Sequence, residues 1–317
     1  MICYALRRLA LIIPTLITIA VLVFFVLRVV PGDIVEFKLR AEGSDVSQEV
    51  IERERVRLGL DKPLAYQFGD WMIGLATLDL GQSMWTERPV TEEIASRLPL
   101  TVELAILSML IALIIAVPSG IIAAVYDSTW IDYSVRVFSI AGLAVPPFWL
   151  GMVIAVGLLY FFNWLPPITS PSLFTDPIAN LSQLIWPALA VGYRYAAILT
   201  RIMRSSVREV LNEDYIRTAR AKGLIESLVI RRHALPNAML PTITVVGLEF
   251  AFLIGGLIVV EQVFNLNGIG KLFVQAVTRN DFTLTQGIIM LIASVSLLIT
   301  LIVDLLYGIL DPRIRYQ

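Results

Sequence analysis

The sequence predicts an all-α protein that crosses a membrane six times, on three observations. Of its 317 residues, 57% are hydrophobic and only 16% charged, against about 25% charged in a typical soluble domain. The apolar residues gather in six blocks, about 9–30, 100–125, 136–162, 184–203, 241–262 and 284–308, each long enough for the roughly 20 residues that a span requires. Lysine and arginine concentrate in alternate connections, the asymmetry that marks the cytoplasmic side.

The first block follows Arg7 and Arg8. It is longer than a signal-peptide core and no small-residue cleavage site follows it, so it is expected to stay as an uncleaved first span with its N-terminus inside. Residues 31–99 then form a long external segment. Within it, 47–58 is rich in charge and helix formers and ends at Gly59; Asp61 followed by Pro63 is a helix-start signal, with Asp61 as the expected cap. Leu64, Phe68, Trp71, Met72 and Leu75 recur at helical spacing, which predicts one apolar face. This segment reads either as a cap over a pore mouth or as a docking surface for an external partner.

Residues 100–308 supply five more spans. Pro146-Pro147 falls inside the third and predicts a kink, serving either packing or the shape of a pore. The fourth span carries Arg194 and the fifth Glu249. Both lie roughly 12–14 Å from the same membrane face at 1.5 Å per residue. They are expected to pair within the membrane or to lie close to each other across a translocation path, since charges inside spans face the bundle interior. Gly247, Ala251 and Gly255 repeat at four-residue intervals on the fifth span, which lets helices approach closely. Asn267-Gly268-Ile269-Gly270 reads as a turn, and Lys271–Thr278 suggests a short external helix before the sixth span.

With the N-terminus inside, the inner segments are 1–8, 126–135, 204–240 and 309–317. From Arg201 to Arg232 there are seven arginines and one lysine; the short outer connections hold only Lys271 and Arg279. Both termini are therefore expected in the cytoplasm. The net charge of −1 gives no general attraction to nucleic acid. One cysteine, Cys3, and one histidine, His233, exclude an internal disulfide and a His-His metal site. No nucleophile elbow or metalloprotease motif is present, so a catalytic role is not expected.

The basic inner loop carries a further pattern. Aligned on Gly223, Ala219, Gly223, Leu235 and Pro236 match four of the seven positions of the EAA loop of ABC importer permeases, with Arg217, Thr218 and His233 at the others. The stretches Tyr215-Ile216-Arg217-Thr218-Ala219-Arg220-Ala221-Lys222-Gly223 and Arg232-His233-Ala234-Leu235-Pro236-Asn237-Ala238 are similar to the dipeptide/oligopeptide/nickel permease family. So are Pro31-Gly32-Asp33, Asp79-Leu80-Gly81-Gln82-Ser83, Pro146-Pro147-Phe148-Trp149-Leu150-Gly151 and Asp311-Pro312-Arg313-Ile314-Arg315-Tyr316. The resemblance runs the length of the chain and is to the first of the two paired permeases.

It implies the type I ABC importer permease fold, in a bacterial inner membrane. It also implies a second homologous permease as partner, two ATPases inside and a periplasmic solute-binding protein outside. No cofactor is implied in this chain, since ATP and Mg act on the partner subunits. A helix over about 212–222 is expected to seat in an ATPase groove, with Tyr215, Arg217, Thr218, Ala219, Lys222, Gly223, Leu235 and Pro236 as the coupling residues. Glycine at 223 suits a helix end with positive φ. The competing reading is a secondary transporter that couples ions through Arg194, Glu249 and Asp304.

Overall fold

The structure is a computed structural model that describes residues 2–29, 34–41, 47–165 and 171–310. Pro31-Gly32-Asp33 and the motif at 311–316 lie outside the described residues. The regular elements described are helical: α1 Ile2–Val29, α2 Ile34–Ala41, α3 Gln48–Arg57, α4 Leu64–Thr77, α5 Val90–Val125, α6 Trp130–Ala144, α7 Pro147–Phe162, α8 Pro177–Leu211, α9 Asp214–Ala221 and α10 Glu226–Leu228. A π-helical turn, Val229–Ala234, leads into α11 Leu235–Gly256, followed by α12 Ile258–Val263, α13 Ile269–Thr278 and α14 Phe282–Leu310. Four stretches are long and apolar enough to cross a membrane: Leu6–Arg28, Val90–Val125, Glu226–Gly256 and Phe282–Leu305. The pair α6 and α7 makes a fifth if it is counted as one span.

Three expectations about the spans change. The third block is not a kinked helix but two helices meeting at 97°. Proline disfavours the α region for the residue before it, so Val145 and then Pro146 are extended, with ψ of 120° and 137°. The fourth block lies in α8, which is continuous over 35 residues but falls outside the hydropathy expected of a span. Arg194, Arg201, Arg204 and Arg208 all lie on it. The second span begins at Val90, so ten residues assigned to the external segment belong to α5.

The chain divides into two compact units. One comprises 2–101 and 267–298. Its core is Val90, Ile94, Ile269, Leu272, Leu284 and Ile288, all buried, and a second cluster joins Val35, Ile51, Met84 and Phe282. Between α2 and α4, α3 ends ahead of Gly59, whose φ is +67°. The cap of α4 is Pro63, not Asp61. The apolar face of α4 lies along α1. Phe68 and Trp71 meet Phe24 at ring distances of 5.2 and 5.8 Å, and Met72, Leu75 and Ala76 share a cavity of about 580 Å³ with Ile13, Leu16 and Ile17. From Arg28 to Ile17 is 11 residues of α1, about 16 Å. So α4 runs beside this apolar helix rather than beyond its end. Above it, Glu87 accepts hydrogen bonds from Arg57 and Lys38 at 2.9 and 3.2 Å, which hold its carboxyl below the ordinary glutamate range.

Buried Asp281 fastens this unit. It accepts from Ser83 Oγ at 2.5 Å, from the N–H groups of Met84 and Trp85 at 3.2 and 3.4 Å, and from Leu284 N–H at 3.0 Å. The last bond caps α14, and the others tie the 79–90 loop to that helix. Gly81, with φ +75°, turns this loop, and its N–H donates to Asp79 Oδ1 at 3.0 Å. Asp281→Ala strands the Ser83 hydroxyl and the N–H groups of Met84 and Leu284, while Trp85 N–H keeps Ser83 Oγ at 3.3 Å, at ~1–3 kcal/mol for each buried group left unsatisfied. Thermal unfolding of the purified protein is expected to show a loss above ~3 kcal/mol, and proteolysis should cut the 79–90 loop first.

The second unit comprises 102–266 and 299–310. Helix α8 is its centre and packs against α6, α7 and α11. Small residues let the backbones close. A Cβ at Gly192 would meet Ser108 O at 2.8 Å, one at Gly120 the Met203 Cβ at 2.7 Å, and one at Gly142 the Ala197 Cβ at 2.7 Å. Buried Asp132 on α6 binds Arg204 of α8 through two bonds, 2.6 and 2.9 Å, and Arg136 at 3.0 Å. Asp127 pairs with Arg204 and Arg208 at 2.8 and 2.9 Å.

Candidate coupling site

The basic loop after α8 folds as α9, a tight reversal, α10 and the π-helical turn. Helix α9 is amphipathic over two turns. Ile216 and Ala219, three apart, are buried with Val229 and Ala234, and Val210, Leu211 and Leu224 close the cluster. The loop's helical periodicity produces this face. The other face, with Asp214, Tyr215, Arg217, Thr218, Ala221 and Lys222, is exposed.

Two bonds end the helix. Gly223 N–H donates to Arg220 O at 2.9 Å, and Leu224 N–H to Ala219 O at 3.4 Å. With Gly223 at φ +77° and Leu224 packed on Ala219, this is a Schellman motif. Arg220 then clasps Glu226 through bonds of 3.1 and 2.6 Å, closing the reversal. Asn237 of α11 donates to the Tyr215 hydroxyl at 2.8 Å, which ties α9 to the start of the next long helix.

Leu235 packs with Met203, Val207, Ala124 and Ala238. Pro236 comes next, in the first turn of α11, and is exposed. Because proline has no N–H, it cannot donate to Arg232 O. The backbone is wound as a π-helix just before it, the kind of local widening that often marks a functional position in a helix. The expected coupling residues thus divide: Ala219 and Leu235 hold the site together, Gly223 shapes it, and Tyr215, Arg217, Thr218, Lys222 and Pro236 are presented. Arg217 reaches Asp214 at 3.3 Å, with both side chains mostly exposed.

The other predicted residues lie elsewhere in the same unit. Gly247 faces Val303 of α14, so close that a Cβ there would overlap it. Ala251 is buried, and Gly255 opens onto free space. Arg194 and Glu249 are within electrostatic reach of each other, but no ion pair at 4.0 Å or less joins them. Sequence reasoning misses the Asp132–Arg204 cluster. Its one signal is an aspartate at the edge of an apolar block, where an uncompensated charge is costly. Among the described residues, no group of His, Cys, Asp or Glu is placed to hold a metal ion.

Comparison with known proteins decides the family. Residues 116–316 match the binding-protein-dependent transport system inner membrane component. The chain belongs to this family. Residues 1–105 match the N-terminal part of the same kind of membrane component. A glutathione transport system permease protein of Escherichia coli is 42% identical over 314 residues, 99% of each chain. A putative peptide transport system permease protein of Brucella abortus is 38% identical over 312 residues, 98% of each. The fold resembles a solved amino acid ABC transporter crystallised with histidines, with a TM-score of 0.52 and 18% identity, covering 70% of this chain and 94% of that one. As a member of the family, the chain is the non-catalytic, multi-pass inner-membrane permease of a binding-protein-dependent ABC importer. A solute-binding protein and an ATPase work with it.

Proposed function

We propose that this permease forms half of a pore for peptides or related small solutes such as glutathione, paired with a second homologous permease above two ATPases. Near-full-length relatedness to the two transport permeases supports the substrate class. Six crossings result if α6–α7 is one span and α8 another. The distribution of arginine and lysine supports a topology with both termini and α9 in the cytoplasm and residues 31–89 outside, toward a periplasmic binding protein. ATP and magnesium act on the partner ATPases.

The observation that carries the coupling role is the divided face of α9. Ile216 and Ala219 anchor it to the chain's own core, while Tyr215, Arg217, Thr218 and Lys222 are left outward. A helix held on one side and open on the other transmits displacement from a bound partner to what it is anchored to, here α8 and α11 through Val210, Leu211 and Ala234. Arg217 stands where the EAA pattern has glutamate, so the seat on the ATPase is expected to present a carboxylate or backbone carbonyls.

In co-expression, Arg217→Glu is expected to lower ATPase retention about tenfold, the order of one charge-assisted hydrogen bond, while permease pairing is unchanged. Full retention would remove Arg217 from the contact. Uptake by the reconstituted assembly should require both ATP and the binding protein. Uptake that survives without the ATPases but collapses with an ion gradient would replace this reading with ion coupling through Arg194, Glu249 and Asp304.

A further inference from the structure

Arg194 is exposed on a helix whose neighbouring residues Val191, Tyr195, Ala196 and Ala197 are buried. It lies ten residues, about 15 Å, from Arg204, whose ion pairs with Asp127 and Asp132 mark one end of the bundle. At such depth a guanidinium facing lipid is expensive. Its face of α8 therefore looks onto water or protein. Arg201, Ser205 and Arg208 are exposed as well, at offsets of 7, 11 and 14 from Arg194, so the open face is a polar stripe along the helix.

Glu249 belongs to the helix packed beside it. Helices α8 and α11 run antiparallel: Thr242 Oγ1 lies 3.4 Å from Met203 Sδ, and a Cβ on Gly256 would sit 3.7 Å from the Tyr195 hydroxyl. Glu249 falls midway between Thr242 and Gly256, level with the segment between Met203 and Tyr195. Arg194 lies one residue beyond Tyr195. The two charges are therefore offset along the bundle by about 5–10 Å, one to two helical turns. Glu249 is half-buried, next to the open Leu248 and near the open Phe252. Neither charge has an ion-pair partner at 4.0 Å or less among the described residues.

A cation and an anion this near, yet unjoined and on open faces of packed helices, leave room for a third charged group between them. The spacing suits a short extended peptide, which spans ~3.3–3.6 Å per residue. Arginine offers a planar fork matched to a carboxylate, and a carboxylate accepts from an ammonium. We propose that Arg194 receives the carboxylate and Glu249 the ammonium of a zwitterionic substrate as it crosses the permease. This deepens the proposed import of peptide-like solutes and rests on it.

The test uses the purified assembly of both permeases and both ATPases in nanodiscs, without binding protein, and radiolabelled tri-alanine as probe. The expected result is saturable binding, displaced about tenfold less well by N-acetyl-tri-alanine or by tri-alanine amide, the order of one lost charge-assisted bond. Arg194→Gln should abolish discrimination against the amide alone, and Glu249→Gln discrimination against the acetylated form alone. Co-purification of all four subunits and ATPase stimulation by loaded binding protein show that each variant is folded. Absence of saturable binding in the wild type overturns the inference, as do equal effects of both variants on both analogues or unchanged discrimination. Failure of the broader reading is separate: it is absence of ATP-dependent uptake by the wild-type assembly with its binding protein.

Discussion

Gly223→Pro is expected to leave the permease in the membrane and to abolish uptake while ATP is still hydrolysed. Nothing lies within 4 Å of a Cβ at this position, so the obstacle is conformation rather than space. Proline holds φ near −65°, and the native value is +77°. Proline also deletes the N–H that donates to Arg220 O at 2.9 Å. The end of α9 cannot close, and the helix loses its fixed angle to the core. A graded series separates this account from general damage. Asparagine, which tolerates the left-handed region, should keep most uptake. Alanine, penalised by ~1–2 kcal/mol there, should keep part of it. Uptake and ATPase rates in proteoliposomes are the readout, and normal uptake by the proline variant would refute a mechanical role for this helix end.

The second large effect is expected at Asp132. Its side chain is completely buried and faces two arginines. Removing it as Asp132→Ala leaves Arg204 with Asp127 alone and Arg136 with no carboxylate at that site. Breaking a buried pair from one side costs ~3–5 kcal/mol, whereas replacing both partners with apolar residues is often close to neutral. The double variant Asp132→Leu/Arg204→Met should therefore be more stable than the single one. Heating in detergent and then size-exclusion chromatography measures the surviving folded fraction. A double variant less stable than Asp132→Ala would show that the ion pairs contribute more than they cost.

Periodicity and local backbone chemistry made part of the fold legible in the sequence. Lys271–Thr278 reads as a short helix and lies in α13, which starts two residues earlier, at Ile269, inside the expected turn. Gly59 and Gly223 stand at helix ends with positive φ, as glycine after a helical stretch foretells. Ala219, expected among the coupling residues, is instead buried with Ile216 against Val229 and Ala234, a side of α9 that its neighbours in the fold determine. The hidden part depends on partners distant in the chain. Asp132 and Arg204 are 72 residues apart, Ser83 and Asp281 198 apart, and no local pattern links them. Helix α8 shows apolar content in a short window, but its open stripe emerges only when burial is known residue by residue. Pro146-Pro147 announces a disturbance without its size, because two extended residues set the angle and packing against α8 and α12 holds α7 in its new direction.

That right-angle break has a consequence for solvation. A helix start leaves its first N–H groups without intrahelical acceptors, and in hydrocarbon each such stranded donor costs several kcal/mol. At the head of α7 the cap is Pro146 and the first helical residue is Pro147, so two of those positions have no hydrogen to strand. The first available bond, from Leu150 N–H to Pro146 O at 3.1 Å, already lies inside the helix. The residues that force the chain to turn are thus the ones that make a turn tolerable in an apolar setting. Changing both prolines to alanine would create two new donors, which the chain must then either bury in a straightened helix or leave thirsty.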